Sequence, residues 1–358
     1  MTKASTVPLA LEDLASARLH EQELCTAFAM LQSTREGRTS QGKRYVDLSL
    51  GDRTSTVAGK IWDDNAAVQD TALDLPAGQP IKILFLVGTY QGAVQLNIRG
   101  LRQVTDEDRG EYQPEAVYGE GIHLVEDLLC ETLVFDIETV PAWDRRELPS
   151  TISESLVKHA DRREMEPGAV MGLSPFFGKV VSLAFADGER PTDEQTVSAL
   201  VVLPDDADPA TEYPEWMRPM TEADLLRAFW ALAGAARTVV TYNGRGFDIP
   251  FLIHRSLIHG VPARVDLMSN RYALRPHLDL LEVVRQGSYG SGPNNLDVVC
   301  WALGIESPKG QMDGSMVAPA YESGRIEDIA RYNLADVRAT MEVYWKLRDG
   351  LLRYRKDW

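Results

Sequence analysis

The sequence predicts two domains of different class, an all-β barrel followed by an α/β domain. Three observations predict this. Residues 24–104 read as short alternating runs separated by turns. From Glu131 onward, strand-like runs interleave with helical ones. A chain of 358 residues is also long enough to bury two cores.

In the first domain, "RYVDLSL" places Val46, Leu48 and Leu50 on one face and Tyr45, Asp47 and Ser49 on the other. "GDRT" is a turn, and "STVAGKIW" alternates again. "IKILFLVGTY" and "AVQLNIRGLRQV" follow, joined through Gln91-Gly92. Five strands with a short helical piece near 65–71 fit a small Greek-key barrel of the OB type. Between the first two strands, "STREGRTSQGKR" reads as a flexible basic loop. The expected division is a barrel domain over 1–107, an acidic, turn-prone connector over 108–130 and an α/β domain over 131–358.

In the second domain, strands are expected at 132–138, 179–186, 196–203 and 237–242. Helices are expected near 151–164, 222–234, 249–259, 294–303 and 326–349.

Composition narrows the function. A formal charge of −16 argues against a non-specific nucleic-acid binder, which would be basic. Residues 20–105 carry nine acids and nine bases, so the acidity belongs to the remainder. Cys25, Cys130 and Cys300 are far apart and form no CxxC, against a thiolate zinc site or disulfide framework and in favour of a cytoplasmic setting. No run has the apolar length of a membrane span, and the N-terminus does not read as a signal peptide.

Three stretches carry the candidate chemistry. In "LVFDIETV", Asp136 and Glu138 share one face of a strand, roughly 6–7 Å apart at the base. At an effective dielectric near 20 they repel by roughly 2–3 kcal/mol, which a divalent cation would relieve. In "TVVTYNGRGFDIPFL", a strand ends near Asn243, glycines make a turn and a helix opens at Asp248. In "IEDIARYNLADVRATMEVYWKL", Ile326, Ile329, Leu334, Val337, Met341 and Tyr344 form the apolar stripe, and Tyr332 and Asp336 stand one turn apart. Each stretch also has a plainer reading: a strand face meeting water, a helix cap at Asp248, and surface decoration.

Taken in order, "FDIET", "YNGRGFDIPFL" and "YNLADV" resemble the three motifs of the DEDD 3′–5′ exonucleases, which have an RNase H-like fold. "GLSPFFGKVVSLAFA", "HLDLLEVV" and "KGQMDGSMV" extend the likeness over roughly 131–350. It is nearest to the proofreading domain of family B DNA polymerases and its stand-alone relatives. The resemblance implies a mixed sheet flanked by helices, and two divalent cations, Mg²⁺ or Mn²⁺, held by Asp136, Glu138, Asp248 and Asp336. Asp136 would bridge both ions, with Glu138 and Asp336 at the water-bearing ion and Asp248 at the other. Tyr332, four before Asp336, marks the tyrosine subclass and would orient the attacking water. Asp279 of "HLDLL" is taken as support or a cap, and Asn243 and Phe247 as substrate contacts.

The barrel is similar to OB modules that accompany bacterial exoribonucleases. On that likeness Tyr45 and Trp62 would stack bases while Arg35, Arg38, Lys43 and Arg44 meet phosphates. The plainer alternative is that the aromatics plug the barrel or form a subunit contact. The expected activity is hydrolysis of single-stranded DNA to nucleoside 5′-monophosphates. RNA is the alternative substrate and a non-catalytic nucleic-acid-binding scaffold the alternative class. The six histidines form no D-x-H or HExxH cluster that would suit another metallophosphoesterase. The residues leave oligomeric state open.

Overall fold

A computed structural model of the chain describes residues 7–356 and 358, apart from 191–196, 209, 270, 272, 287–291 and 308–311. Thr196, the expected start of a strand, and Lys309 to Gln311 of "KGQMDGSMV" lie outside the described residues. The chain divides into two compact units, residues 1–131 with 228–237, and residues 132–227 with 238–358.

The first unit is a barrel. A two-residue edge strand β1 (Leu9–Ala10) precedes β2 (Leu24–Arg38), β3 (Arg44–Gly51) and β4 (Thr56–Ile61). Helix α1 (Ala66–Asp74) follows, then β5 (Pro80–Tyr90) and β6 (Ala93–Gln103). The strand order is β2-β3-β4-β6-β5, and β5 pairs back on β2 to close the barrel. Closure in this order, with a helix between the third and fourth barrel strands, is OB topology. Val46, Leu48 and Leu50 point inward and are buried with Ile61, Ile83, Phe85 and Ile98, as the alternation requires. Gln91 and Gly92 both take positive φ, 52° and 82°, the mirror-image turn whose twist matches paired strands.

One expectation is corrected. "STREGRTSQGKR" is mostly strand: β2 runs on to Arg38 and pairs with β3 as far as Arg38↔Arg44, leaving 39–43 as the turn. Pairing with β3 satisfies the backbone of this polar run, so the strand continues without an apolar pattern. The acidic stretch after the barrel contains α2 (Pro114–Tyr118) and three single 3₁₀ turns. Tyr118 donates its hydroxyl to the Gly78 carbonyl at 2.9 Å.

The second unit is α/β. In chain order it holds β7 (Thr132–Pro141), α3 (Ser150–Arg163), α4 (Pro167–Gly172), β8 (Gly178–Asp187), β9 (Val197–Val201) and β10 (Met217–Pro219). Helix α5 (Glu222–Ala235), whose residues from Ala228 onward group with the first unit, leads to β11 (Thr238–Thr241) and α6 (Asp248–His259). Then come β12 (His277–Asp279), α7 (Leu280–Arg285), α8 (Leu296–Leu303), α9 (Val317–Glu322) and α10 (Ile326–Gly350). The mixed sheet has the order β10-β9-β8-β7-β11-β12. Pairs β7–β8 and β8–β9 are antiparallel, whereas β7–β11 and β11–β12 are parallel.

Helix α10 packs on β7, β8 and β9 through the expected stripe, and all six stripe residues are buried. The five expected helices and four expected strands form with ends moved by a few residues at most. The sequence reading lacked α4, α7, α9, β10 and β12, each of three to six residues and too short to show a period. Among the described residues, no helix is long and apolar enough to cross a membrane.

Candidate active site

Strand β7 brings Asp136 and Glu138 to one face, while Phe135 and Ile137 are buried on the other. Helix α10 brings Asp336 to the same place. Asp136, Glu138 and Asp336 each offer a carboxylate oxygen, and these atoms all lie within 4.8 Å of one another.

Asp248 arrives differently. β11 pairs with β7 only as far as Val240↔Val134, which leaves the next part of that β7 edge without a strand partner from β11. There the Ile137 N–H donates to Asp248 Oδ1 at 3.3 Å. Asp248 therefore adjoins the other three carboxylates, fixed to the backbone between two of them, and is 4% exposed. It is also not the helix cap: Phe247 is the N-cap residue of α6 and Asp248 is its first helical residue.

The turn before Asp248 is held from several sides. Asn243 has a positive φ of 67°. A Cβ on Gly244 would lie 2.3 Å from Thr241 Oγ1, and one on Gly246 would lie 2.5 Å from Asn243 Oδ1. A side chain at Gly244 would drive Thr241 aside, and one at Gly246 would displace the Asn243 amide that lies over it. Asp279 accepts hydrogen bonds from the backbone N–H groups of Asn243 (2.9 Å), Arg245 (3.0 Å) and Leu281 (3.0 Å). It thus caps α7 and anchors the turn, a supporting role. Asn243 is exposed, with its side chain lying over Gly246, and Phe247 is half-buried against Phe251 at a ring separation of 5.5 Å.

Burial raises the Asp136 carboxyl well above its usual range, and Asp248, Asp336 and Glu138 raise it further. Glu138 is raised in the same way, by burial and then by Asp336 and Asp248. Asp248 is pushed up to about 7, chiefly by burial and against the hydrogen bond from Ile137. Like charges gathered in a half-closed place disfavour one another's ionisation, so the cluster favours a bound cation or protons. An all-carboxylate donor set is hard and suits Mg²⁺ or Mn²⁺.

Tyr332, one turn before Asp336, hydrogen-bonds its carboxylate. Burial first, then the Asp336, Glu138 and Asp136 charges, raise the phenol above its ordinary value. A raised phenol keeps its proton at neutral pH, which suits it to donate a hydrogen bond and not to serve as a base.

On the barrel, Tyr45 and Trp62 lie near each other, ring centroids 6.2 Å apart, with Lys60 Nζ 3.9 Å and 5.0 Å from the two ring centres. Trp62 Nε1 donates to Asn97 Oδ1 at 3.1 Å. Neither aromatic belongs to the buried barrel core. The cations expected to meet phosphate have partners within the barrel: Lys43 pairs with Asp63 (3.0 Å), and Arg44 with Asp70 (2.7 Å) and Glu36 (3.1 Å). Arg38 donates to the Gly42 carbonyl at 3.2 Å, and Arg35 is exposed on β2 opposite Asp47. Lys60 and Asn97 were missed from sequence. Lys60 was detectable, being two residues before Trp62 in the alternating run "STVAGKIW", whereas Asn97 gave no signal.

Comparison with known proteins bears on this geometry. Residues 177–353 match the family described as a predicted 3′–5′ exonuclease related to the exonuclease domain of PolB. That range contains Asp248, Tyr332 and Asp336 and begins after Asp136 and Glu138. The chain is 31% identical over 119 residues to a DNA polymerase of Desulfurococcus sp. (strain Tok), covering 29% of this chain and 15% of the polymerase. It is 29% identical over 91 residues to the 3′–5′ exoribonuclease YhaM of Bacillus subtilis (strain 168), covering 25% of this chain and 28% of that protein. The chain thus spans less than a third of either relative. Among solved structures, the family B DNA polymerase of Pyrobaculum calidifontis aligns with 90% of this chain and 46% of its own, at 14% identity and a TM-score of 0.42. By its matched residues, the C-terminal half of this chain is similar to the predicted 3′–5′ exonucleases related to PolB, as its motifs implied.

Proposed function

We propose that this protein is a divalent-cation-dependent 3′–5′ exonuclease that shortens single-stranded DNA and releases nucleoside 5′-monophosphates. The observation that carries the reading is the convergence of Asp136, Glu138 and Asp336, within 4.8 Å, from a strand and a helix nearly 200 residues apart. Asp248 adjoins them through Ile137.

In this reading Asp136, Glu138, Asp248 and Asp336 hold two Mg²⁺ or Mn²⁺ ions, which when bound supply an activated water and stabilise the leaving 3′-oxygen. Tyr332 keeps its proton, steadies Asp336 and orients the water by donation. Asn243 and Phe247, on the turn beside Asp248, contact the terminal nucleotide. The barrel's Tyr45 and Trp62 face holds single strands by stacking. Because Lys43 and Arg44 already have carboxylate partners, phosphate must displace them, so this binding is weak and salt-sensitive.

RNA is the second reading, favoured by the likeness to a relative named as an exoribonuclease. The test is a time course on matched 5′-labelled DNA and RNA single strands with Mn²⁺ or Mg²⁺, and with EDTA as control. A ladder shortening from the 3′ end, abolished by EDTA, is expected. An immediate one-nucleotide product would reverse the polarity, and inert substrates in every cation would leave the scaffold reading.

A further inference from the structure

Asn333 is fully buried between α10 and the sheet. Its Nδ2 donates to the Ser182 carbonyl at 3.3 Å and to Ser182 Oγ at 3.1 Å. Ser182 stands opposite Glu138 in the β7–β8 ladder. The ladder slips at this point: Glu138 faces Ser182 but Thr139 faces Val180, so Val181 is an extra residue on β8. Such a bulge bends its strand and re-aims the neighbouring side chains.

Asn333 also lies between Tyr332 and Asp336 on the helix. One amide therefore ties the turn that carries both residues to the strand position facing Glu138. Around Asn333 the α10 contact is apolar, through residues such as Ile329, Leu334, Val337 and Met341. The helix's other directed bonds, from Tyr344, Trp345 and Arg348 to Gly188 and Glu189, lie about three turns further along. Apolar burial is non-directional and does little to define the helix's rotation or rise. A directed hydrogen bond does both.

The other amide atom is informative too. Asn333 Oδ1 is buried without a hydrogen-bond partner. Flipping the amide gives no relief, because it would set oxygen against the Ser182 carbonyl, acceptor to acceptor. A buried acceptor without a partner costs free energy, a cost that an apolar residue would avoid.

We propose that Asn333 is a positioning residue that locks α10 to the bulged strand, so that Asp336 and Tyr332 stand at working distance from Glu138. The inference deepens the exonuclease reading and rests on it. The test compares full-length wild type, Asn333→Ala, Ser182→Ala and the double variant. It measures Mn²⁺ affinity by calorimetry, kcat and KM on a labelled single strand, and melting without metal.

For Asn333→Ala, Mn²⁺ affinity and kcat should each fall about tenfold or more, with KM nearly unchanged. Ser182→Ala keeps the carbonyl contact and should lose less in the same two readouts. The double variant should be no worse than Asn333→Ala, because the contact is already gone. A folded Asn333→Ala with wild-type kcat and Mn²⁺ affinity overturns the proposal, as does one that loses melting temperature alone. If Asn333→Ala does not fold, Ser182→Ala decides by the same criteria. A wild type that neither binds Mn²⁺ nor cleaves would instead sink the exonuclease reading itself.

Discussion

Asp248 Oδ1 accepts the backbone N–H of Ile137, and Ile137 is the residue between Asp136 and Glu138. One hydrogen bond thus joins the start of α6 to the middle of β7, and the fourth carboxylate is placed by main chain instead of by another side chain. Asp248→Asn keeps an oxygen that can accept this bond but removes the charge. Activity should fall by about 100-fold or more, while the metal-free protein becomes more stable by ~1–3 kcal/mol as repulsion and charge burial are relieved. Paired turnover and urea-denaturation measurements check this. Undiminished turnover would remove Asp248 from the site. Asp136→Ala should likewise abolish hydrolysis with the fold retained.

His277 gives a pH prediction independent of the carboxylates. It is buried, with Nδ1 3.0 Å from the Leu267 carbonyl and Nε2 2.8 Å from Thr241 Oγ1. Burial, with Arg245 adding to it, pushes its pKa down to about 4. The unfolded chain, with an ordinary histidine near ~6.5, then binds more protons than the folded one between those values. Stability is therefore lost as pH falls from about 6.5 to about 4, by roughly 3 kcal/mol from this group. His277→Gln cannot take up the proton and should lose correspondingly less between pH 7 and 4.5. Parallel pH profiles for the two proteins would disprove it.

The Glu222–Arg255 pair is 7% exposed on each side chain and joined through two Arg255 nitrogens, at 2.8 Å and 2.6 Å. Glu222 also accepts from the Val180 N–H at 2.9 Å, and Arg255 donates to the Pro175 carbonyl at 3.2 Å. Arg255→Ala leaves the buried Glu222 carboxylate of α5 without its guanidinium, held by the Val180 N–H and by His259 Nε2 at 2.8 Å, and should cost about 3–5 kcal/mol. Adding Glu222→Gln to it should recover part of that loss. A single variant that melts like wild type would show that the carboxylate is not confined.

Trp62→Ala tests the barrel face. If bases stack there, affinity for an oligonucleotide should drop about tenfold. Turnover at saturating substrate should hold, because the carboxylates are untouched. Equal affinities at low salt would favour a structural or subunit role for the Tyr45–Trp62 cluster.

Much of the site was legible because its chemistry follows local periods. Alternation put Asp136 and Glu138 on one strand face, and four-residue spacing put Tyr332 beside Asp336. The role of Asp248 was less so, since Asp before Ile-Pro taken alone reads more readily as a helix cap, and only its bond to the Ile137 N–H on β7 decides against that. The loop assigned to 33–44 was misread because polar residues on an outer barrel strand imitate a flexible loop. Asn333 carried no signal at all: its partner Ser182 lies 151 positions away.

The order of classes along the chain, the inward faces of the barrel strands, the α10 stripe and the carboxylate inventory were determined by sequence alone, because periodicity is a property of neighbouring residues. Only the tertiary structure decided that Asp136, Glu138 and Asp336 meet, that Asp248 reaches β7 through Ile137, and that Lys43 and Arg44 are already paired. Those are distances between segments far apart in the chain. They are set by which apolar faces bury against each other and by which backbone groups remain to be satisfied.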